Sequence, residues 1–334
     1  MNPKYTAFGK KLLQYGLVLF VAITINFLLP RLAPGDPLLY FFDEGTLKEL
    51  TAAQKQMALD SMGLGGSLFE QYFIYLKGIV SFDFGVSIKY GLPAIDVILE
   101  RLPWTLVLIG PAMLLSAVIG VAVGAYSAWN RGKSRDVSLL TVMLTFQAVP
   151  GFWVGMLFIA IFAVQFGWFP TYGAVSIVQD GTTIGWLKDV ALHLVLPIAT
   201  LSIATVGSNY LLTRSSMLES LGQDYVVMAE AKGVTKPRLI FNHGLRNALL
   251  PVYTHFMMNL GTLIGGSVVV ETVFSYPGIG RLLYESVVAR DFPMMQAVFL
   301  MITIGVIGAN ILADLTYPMI DPRAKSTRRV KGES

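Results

Sequence analysis

The sequence predicts an all-α polytopic membrane protein with six transmembrane helices, and three observations lead there. Only 14% of its 334 residues are charged and 54% are hydrophobic, whereas soluble domains carry about 25% charged residues. The mean hydropathy is +0.62. Six apolar stretches, at 12–30, 104–129, 137–165, 191–213, 249–270 and 292–313, contain no Asp, Glu, Lys or Arg. Each matches the roughly 20 residues that cross about 30 Å of hydrocarbon. One ionised side chain at a span centre costs about 2.5–3.5 kcal/mol, so their complete exclusion from six windows marks bilayer segments.

The first stretch follows Lys4, Lys10 and Lys11, as the core of a signal peptide would. It is too long for that, and LLPRLAPGDP offers no small-residue cleavage site. It is expected to stay as a helix. Residues 31–103 then form a long outer segment with helix signals. Thr51 and Ser67 open capping boxes, T-A-A-Q and S-L-F-E, and Pro93 opens AIDVILERL. A small helical cap is expected there. In the third stretch, FQAVPGFWVG places Gln147, Pro150 and Gly151 at mid-membrane, where proline kinks a helix. The 167–189 loop, rich in Gly and aromatics, reads as an interfacial hairpin with Trp168, Tyr172 and Trp186 at headgroup depth. The fifth stretch carries Gly261-x-x-x-Gly265, a spacing that permits close helix approach.

Lys and Arg in the short loops set the orientation. The N-terminus and the 130–136 loop carry three each, and the 214–248 loop and the tail five each; the two opposite short loops hold only Lys188, Arg281 and Arg290. Both termini are therefore expected in the cytoplasm. Glu271 and Asp314 sit just past span ends and are expected to snorkel or meet an interfacial partner.

Several chemistries are excluded. Without Cys there are no disulfides, thiolate metal sites or cysteine nucleophiles. His193, His243 and His255 are dispersed, no HExxH or GxSxG occurs, and no cofactor or metal site is expected. No GxxxxGK[ST] loop is present, so the chain cannot cradle ATP phosphates itself. Internal repeats and charges within spans, the marks of many secondary transporters, are absent. Within the spans Gln147, Pro150, Asn259 and Asn310 are the candidate pathway-lining residues, although interhelical hydrogen bonding accounts for the amides equally well.

The polar insert 214–248 lies between the fourth and fifth stretches. Asp224 to Lys232 reads as a short helix ending at Gly233, and Thr235 as the cap of a second helix, KPRLIFNHGLRN, with Pro237 in its first turn. Leu239, Ile240, Phe241 and Leu245 fall on or near one face. Such a helical elbow serves either as a lipid-surface anchor or as a docking knob for a cytoplasmic partner. Its tether to the membrane argues against nucleic acid.

These residues resemble the coupling loop of ATP-binding-cassette importer permeases, in the form AxAKG…HxLRNAxxP found in the dipeptide/oligopeptide/nickel family. Ala229, Ala231, Lys232, Gly233, His243, Leu245, Arg246, Asn247 and Pro251 carry the match. Pro34-Gly35-Asp36-Pro37, FGVS with ERLPWTL, RDFPMMQ and NILADLTYPMIDPR support it over nearly the whole chain, and the first is similar to the B-type member of the permease pair. The general motif has Glu six residues before the glycine; here Val227 stands there, and Glu230 lies three before it.

The resemblance implies the type I importer permease fold, in a multi-pass protein of the prokaryotic inner membrane. Residues 1–30 would be the N-terminus and first span, 31–103 the outer segment, 104–318 the permease core and 319–334 a basic tail. The resemblance also implies a second homologous permease as heterodimer partner, two ATPase subunits and an extracytoplasmic solute-binding protein. Di- or oligopeptides are the implied cargo; nickel or metallophore complexes, glutathione-like peptides and oligosaccharides are carried by similar machinery. Ala229, Glu230, Ala231, Lys232, Gly233, Thr235, Lys236, Pro237, Arg238, His243, Arg246 and Asn247 would meet the ATPase. The chain itself would not be an enzyme.

Overall fold

The computed structural model describes residues 3–32, 38, 44–61, 64–178 and 181–320; the side chains of 3–10, 12, 30, 44, 61, 243, 261–266 and 317–320 fall outside that description. The described residues form helices and no strands: α1 (Pro3–Leu32), α2 (Glu44–Glu49), α3 (Ala52–Ser61), α4 (Leu68–Ser81), α5 (Ala94–Trp129), α6 (Ser134–Ala148), α7 (Gly151–Phe158), α8 (Thr183–Leu221), α9 (Asp224–Ala231), α10 (Lys236–Arg238), α11 (Arg246–Gly266), α12 (Val268–Val273), α13 (Ile279–Val288) and α14 (Phe292–Ile320). Wider π-turns continue α7 through Ile159–Gln165 and α10 through Leu239–Leu245. A lone bridge joins Val86 to Pro93.

The predicted apolar stretches fall in α1, α5, α6 with α7, α8, α11 with α12, and α14. By length and composition α5, α8 and α14 can each cross a bilayer, and α6 with α7 supplies a fourth crossing if the bent pair counts as one; the apolar part of α1, Leu13–Leu29, is shorter. Residues 261–266, including Gly261 and Gly265, lie outside the described side chains, as Pro34 to Pro37 and the basic tail lie outside the described residues.

The chain divides into two compact units. The first comprises Met1–Pro103 and Pro277–Ile307. Both expected capping boxes form: Gln54 N–H donates to Thr51 Oγ1 at 3.3 Å while Thr51 N–H donates to the Gln54 side chain at 2.8 Å. Ser67 and Glu70 repeat the arrangement. The core of this unit packs Ala94, Val97 and Ile98 of α5 against Ile279 and Leu282 of α13 and Met294, Ala297 and Val298 of α14. Helix α13 falls where the sequence reading had only a loop.

Two carboxylates stitch the unit. Asp291 caps α14 by accepting the Met294 N–H at 3.2 Å, and also accepts the Ser87 hydroxyl and the Lys89 N–H. Thus the FGVS and RDFPMMQ stretches meet. Glu285 accepts from Lys89 Nζ at 2.8 Å, Tyr90 OH at 2.6 Å and Arg281 Nε at 2.7 Å. Burial pushes its carboxyl up, but the bonds from Lys89 and Tyr90 and the two cationic charges outweigh that and bring it to about 2. Burial, with the bond to Glu285, pushes the Tyr90 phenol up to about 12.

The second unit comprises Trp104–Tyr276 and Gly308–Ser334. Its spine is α8, which packs against α6, α7 and α11. Backbones come close where side chains are missing. A Cβ on Gly207 would lie 2.9 Å from the Met143 carbonyl, and one on Gly124 2.8 Å from the Tyr210 carbonyl. The third apolar stretch departs from the kink expected of it: α6 and α7 meet at 94° across Val149–Pro150. Proline cannot donate into the α6 ladder, and the residue before it is pushed to extended backbone; Val149 has φ −81° and ψ 128°. The 167–178 loop contains no hairpin strands; Ser176 instead donates its N–H and hydroxyl to Asp189, each at 2.6 Å.

Glu271 does not snorkel. Its side chain is 0% exposed and accepts from the hydroxyls of Thr105 at 3.0 Å and Ser267 at 2.9 Å. A buried carboxyl needs such partners, and α5 lies close enough to supply one. Asp136 is 3% exposed and receives two parallel bonds from Arg214, each 2.8 Å, with further bonds from Ser127 Oγ and Gly132 N–H. This fork ties the first turn of α6 to α8.

Two predictions follow from these ties. In detergent-purified protein, Arg214→Ala is expected to cost about 3 kcal/mol of unfolding free energy, because it strands a buried carboxylate; Asp136→Ala is expected to cost less, since Arg214 can reach water. Denaturant titration measures both. For Glu285, a folded value below the unfolded one means its stabilisation is complete above the ordinary carboxylate range and drains away as pH falls from about 5 toward 2. The wild-type melting temperature is expected to fall more steeply over that window than that of Glu285→Gln.

Candidate functional site: the elbow between α8 and α11

Helix α8 does not stop at the predicted end of the fourth stretch but runs on to Leu221. After Gly222 and Gln223, α9 spans Asp224–Ala231. Its end is a Schellman closure: Gly233 N–H donates to Glu230 O at 2.9 Å and Val234 N–H to Ala229 O at 3.2 Å. Gly233 takes φ +79°, the left-handed backbone that costs a residue with Cβ about 1–2 kcal/mol. The predicted first helix and its glycine stop therefore stand. Thr235 occupies the cap position of the second helix with extended backbone, but its side chain makes no capping bond.

The second helix does not end near Asn247. Helical backbone runs from Lys236 through the π-turn and on to Gly266. The reason lies in the seam beneath it. Met217, Ala248, Ala125 and Ala128 are buried together, and Leu218, Leu221, Ile240 and Leu245 pack on them. Leu239 is 2% exposed. Stopping the helix would forfeit this burial, worth roughly 1.5–3 kcal/mol per large aliphatic side chain. Gly244 lets the turn lie against α8, since a Cβ there would come 3.1 Å from Leu221 Cδ2. The Tyr225 hydroxyl joins all three elements, accepting from Asn247 Nδ2 at 2.5 Å and meeting Ser220 Oγ at 3.0 Å.

Phe241 departs from the expected apolar face: it is 63% exposed. The wider π-turn carries it out of the seam while Ile240 stays in. Val227 and Met228, each 58% exposed, add to the apolar surface. Around them Glu230, Ala231, Lys232, Gly233, Thr235, Lys236, Pro237, Arg238 and Arg246 are exposed, and Ala229 and Asn247 half-buried; the side chain of His243 is outside the description. The elbow is a basic, partly apolar knob. Among the described residues no cluster of His, Asp or Glu could hold a metal ion.

Of the candidate pathway residues, Asn259 is placed among other polar groups. It bonds His255 Nε2 at 2.8 Å and lines a cavity of about 10 Å³ with Met113, Ser116, Thr205, Asn209 and Phe256. That volume suits a single water. Gln147 and Pro150 are exposed beside the bend, and Asn310 is half-buried in α14. Sequence reasoning overlooked Asn209, which is 5% exposed, donates to Ser116 Oγ at 2.9 Å and leaves its Oδ1 without a partner among the described residues. Thr205 also meets Ser116, at 2.8 Å. The spacing of four between Thr205 and Asn209, on one face of an apolar helix, was the available signal.

Residues 120–326 match the family described as "Binding-protein-dependent transport system inner membrane component". The chain is 36% identical to the oligopeptide transport system permease protein AppB of Bacillus subtilis, over 91% of this chain and 95% of that protein. It is 34% identical to the dipeptide transport system permease protein DppB of Escherichia coli K12, over 93% of this chain and 97% of that one. Among solved structures it resembles the MetNI methionine ABC transporter in inward-facing conformations, with a TM-score of 0.55, 17% identity, and coverage of 68% of this chain and 97% of the other. At that identity the likeness is one of fold.

The seam and the knob separate experimentally. Leu239→Ala is expected to destabilise the purified protein by about 2–4 kcal/mol, whereas Phe241→Ala is expected to stay within about 0.5 kcal/mol of wild type. Denaturant unfolding in detergent reads both.

Proposed function

This chain belongs to the binding-protein-dependent transport system inner membrane components, and we propose that it forms half of the transmembrane pathway of an ATP-binding-cassette importer for di- or oligopeptides. Support for the peptide cargo comes from near full-length identity to an oligopeptide and a dipeptide permease. A second, homologous permease completes the pathway, two ATPases drive it, and an extracytoplasmic binding protein delivers the solute. The chain crosses the inner membrane six times with both termini in the cytoplasm, in keeping with the Lys and Arg distribution.

The observation that carries the mechanism is the elbow's construction. Residues 230–233, 235–238 and Phe241 stand exposed, while Leu239 is buried, Ile240 and Leu245 are packed on α8 and the helix continues into α11. A partner that grips the knob moves two membrane helices with it. ATP-driven closure of the ATPases thus pulls the elbow, and the permease pair switches between outward- and inward-facing packings.

The chain lacks cysteine, so single cysteines report directly. In the assembled transporter, Lys236→Cys and Phe241→Cys are expected to crosslink to the ATPase, and Ile240→Cys, held in the seam, is not. Failure of both exposed positions in an intact complex would sink the docking assignment. In proteoliposomes carrying the binding protein, peptide uptake is expected to require ATP and both ATPases; uptake without them would overturn the importer reading.

A further inference from the structure

Helix α4 has three sides, and two of them have no role yet. Gln71, Tyr72 and Tyr75 face α1. The Thr24 hydroxyl donates to the Phe20 carbonyl at 2.9 Å and accepts from Tyr72 OH at 2.8 Å. The Phe27 ring meets Tyr72 edge-on with centroids 5.0 Å apart, and Tyr75 at 5.8 Å. Arg31 Nε donates to Gln71 Oε1 at 2.8 Å. The second side is a row at steps of four and three: Phe69, Phe73, Leu76 and Val80. Leu76 is half-buried, but Phe69, Phe73 and Val80 are 79%, 67% and 81% exposed. The third side is polar and exposed, with Lys77 next to the apolar row, then Glu70 and Ser81, and Ile74 at its far edge.

Depth decides what the apolar row meets. Thr24 and Phe27 belong to the apolar part of α1, Leu13–Leu29, and Arg31 stands just past it. Thr24 lies about 10 Å along the helix from Arg31, so the Tyr72 hydroxyl reaches well inside the level of that cation. The far end of α4 is held at the same border. Its C-cap, Phe82, is followed closely by Gly85, where a Cβ would lie 3.5 Å from Pro293 Cβ, and Ser87 donates to Asp291 at the start of α14. Helix α4 therefore runs between the outer ends of the first and sixth spans. On α1, Val21, Ile25 and Leu28 are exposed at the level of Thr24, so uncovered apolar surface is shared by both helices there. In water such a surface would be costly. An apolar row, then a basic residue, then a polar row is the arrangement that suits a helix half-immersed in a membrane border. The long stem of Lys77 can cover apolar surface while its ammonium stays wet.

We propose that α4 is a lipid-binding helix of the outer leaflet. Phe69, Phe73 and Val80 insert among phospholipid acyl chains, and Lys77 sits at the level of the head-group phosphates. The row is thus covered by lipid, and neither by the second permease nor by the solute-binding protein. This rests on reading α1 as a span with Arg31 at its outer end, and it adds an anchoring surface to the outer segment.

The test uses the complete transporter in vesicles of phosphatidylethanolamine and phosphatidylglycerol, with single nitroxide-labelled cysteines in the naturally cysteine-free chain. Electron paramagnetic resonance reads the access of dissolved oxygen and of a polar nickel chelate to each label. At Phe69→Cys, Phe73→Cys and Val80→Cys the oxygen-to-nickel ratio is expected to exceed that at Glu70→Cys and Ser81→Cys about ten-fold, because hydrocarbon excludes the chelate. Any two of the three apolar positions suffice if the third does not assemble. Lys77→Cys is expected to fall between the two rows; a ratio equal to that at Phe73→Cys overturns its head-group placement. Equal ratios on the apolar and polar rows overturn the lipid helix. So does shielding of Phe73→Cys from both reagents, its crosslinking to the second permease, or nickel access there that disappears only when the binding protein is added. Val21→Cys on α1 separates the two readings. Oxygen-rich Val21→Cys with nickel-rich Phe73→Cys rejects the lipid helix alone. Nickel access at Val21→Cys, or reaction of Lys77→Cys with an impermeant maleimide only after spheroplasts are lysed, rejects the span reading itself.

Discussion

The apolar seam beneath the elbow is the contact on which the mechanical reading depends. Met217 and Ala248 are buried between α8 and α11, with Leu221, Ile240 and Leu245 packed around them. Close-packed side chains transmit displacement because they have few intermediate arrangements. Without the seam, residues 224–247 would be a tethered loop, free to follow a partner while the membrane helices stayed still. With it, and with Tyr225 bonded to both Ser220 and Asn247, the knob and two long helices behave as one lever.

Helix α8 can serve as that lever because it is packed along its length. It packs the cores around Leu194 and Leu201 in its first half and those around Tyr210 and Met217 in its second. Close approach through Gly124 and Gly207 brings α5 and α6 onto it, and the Asp136–Arg214 fork binds the first turn of α6 to it near its far end. Near its end Ser216 and Glu219 line an open groove shared with α11. A displacement of α8 therefore moves core and groove lining together.

In the first unit, Asp291 and Glu285 do comparable work with charge in place of apolar packing. Asp291 joins the start of α14 to the 85–90 turn, and Glu285 gathers Lys89, Tyr90 and Arg281. These bonds give a reason for two short stretches that the sequence offers only as resemblance. The serine of FGVS and the aspartate of RDFPMMQ are hydrogen-bonded partners.

What the sequence determines by itself is whatever rests on local chemistry. The absence of charge from the apolar stretches, the boxes at Thr51 and Ser67, the stop at Gly233 and the lack of any phosphate-binding loop all follow from residue type and spacing, because their physics acts within a turn or two of one helix. The family motif was legible for the same reason. Tertiary structure alone decided how far α8 runs, that α6 and α7 part at 94°, that Glu271 is enclosed rather than snorkelling, and that Phe241 turns outward while Ile240 turns in. Each outcome depends on a partner distant in sequence: Thr105 for Glu271, Ser116 for Asn209, Met217 for the elbow. An apolar pattern states that a surface must be covered, and only the folded chain supplies what covers it.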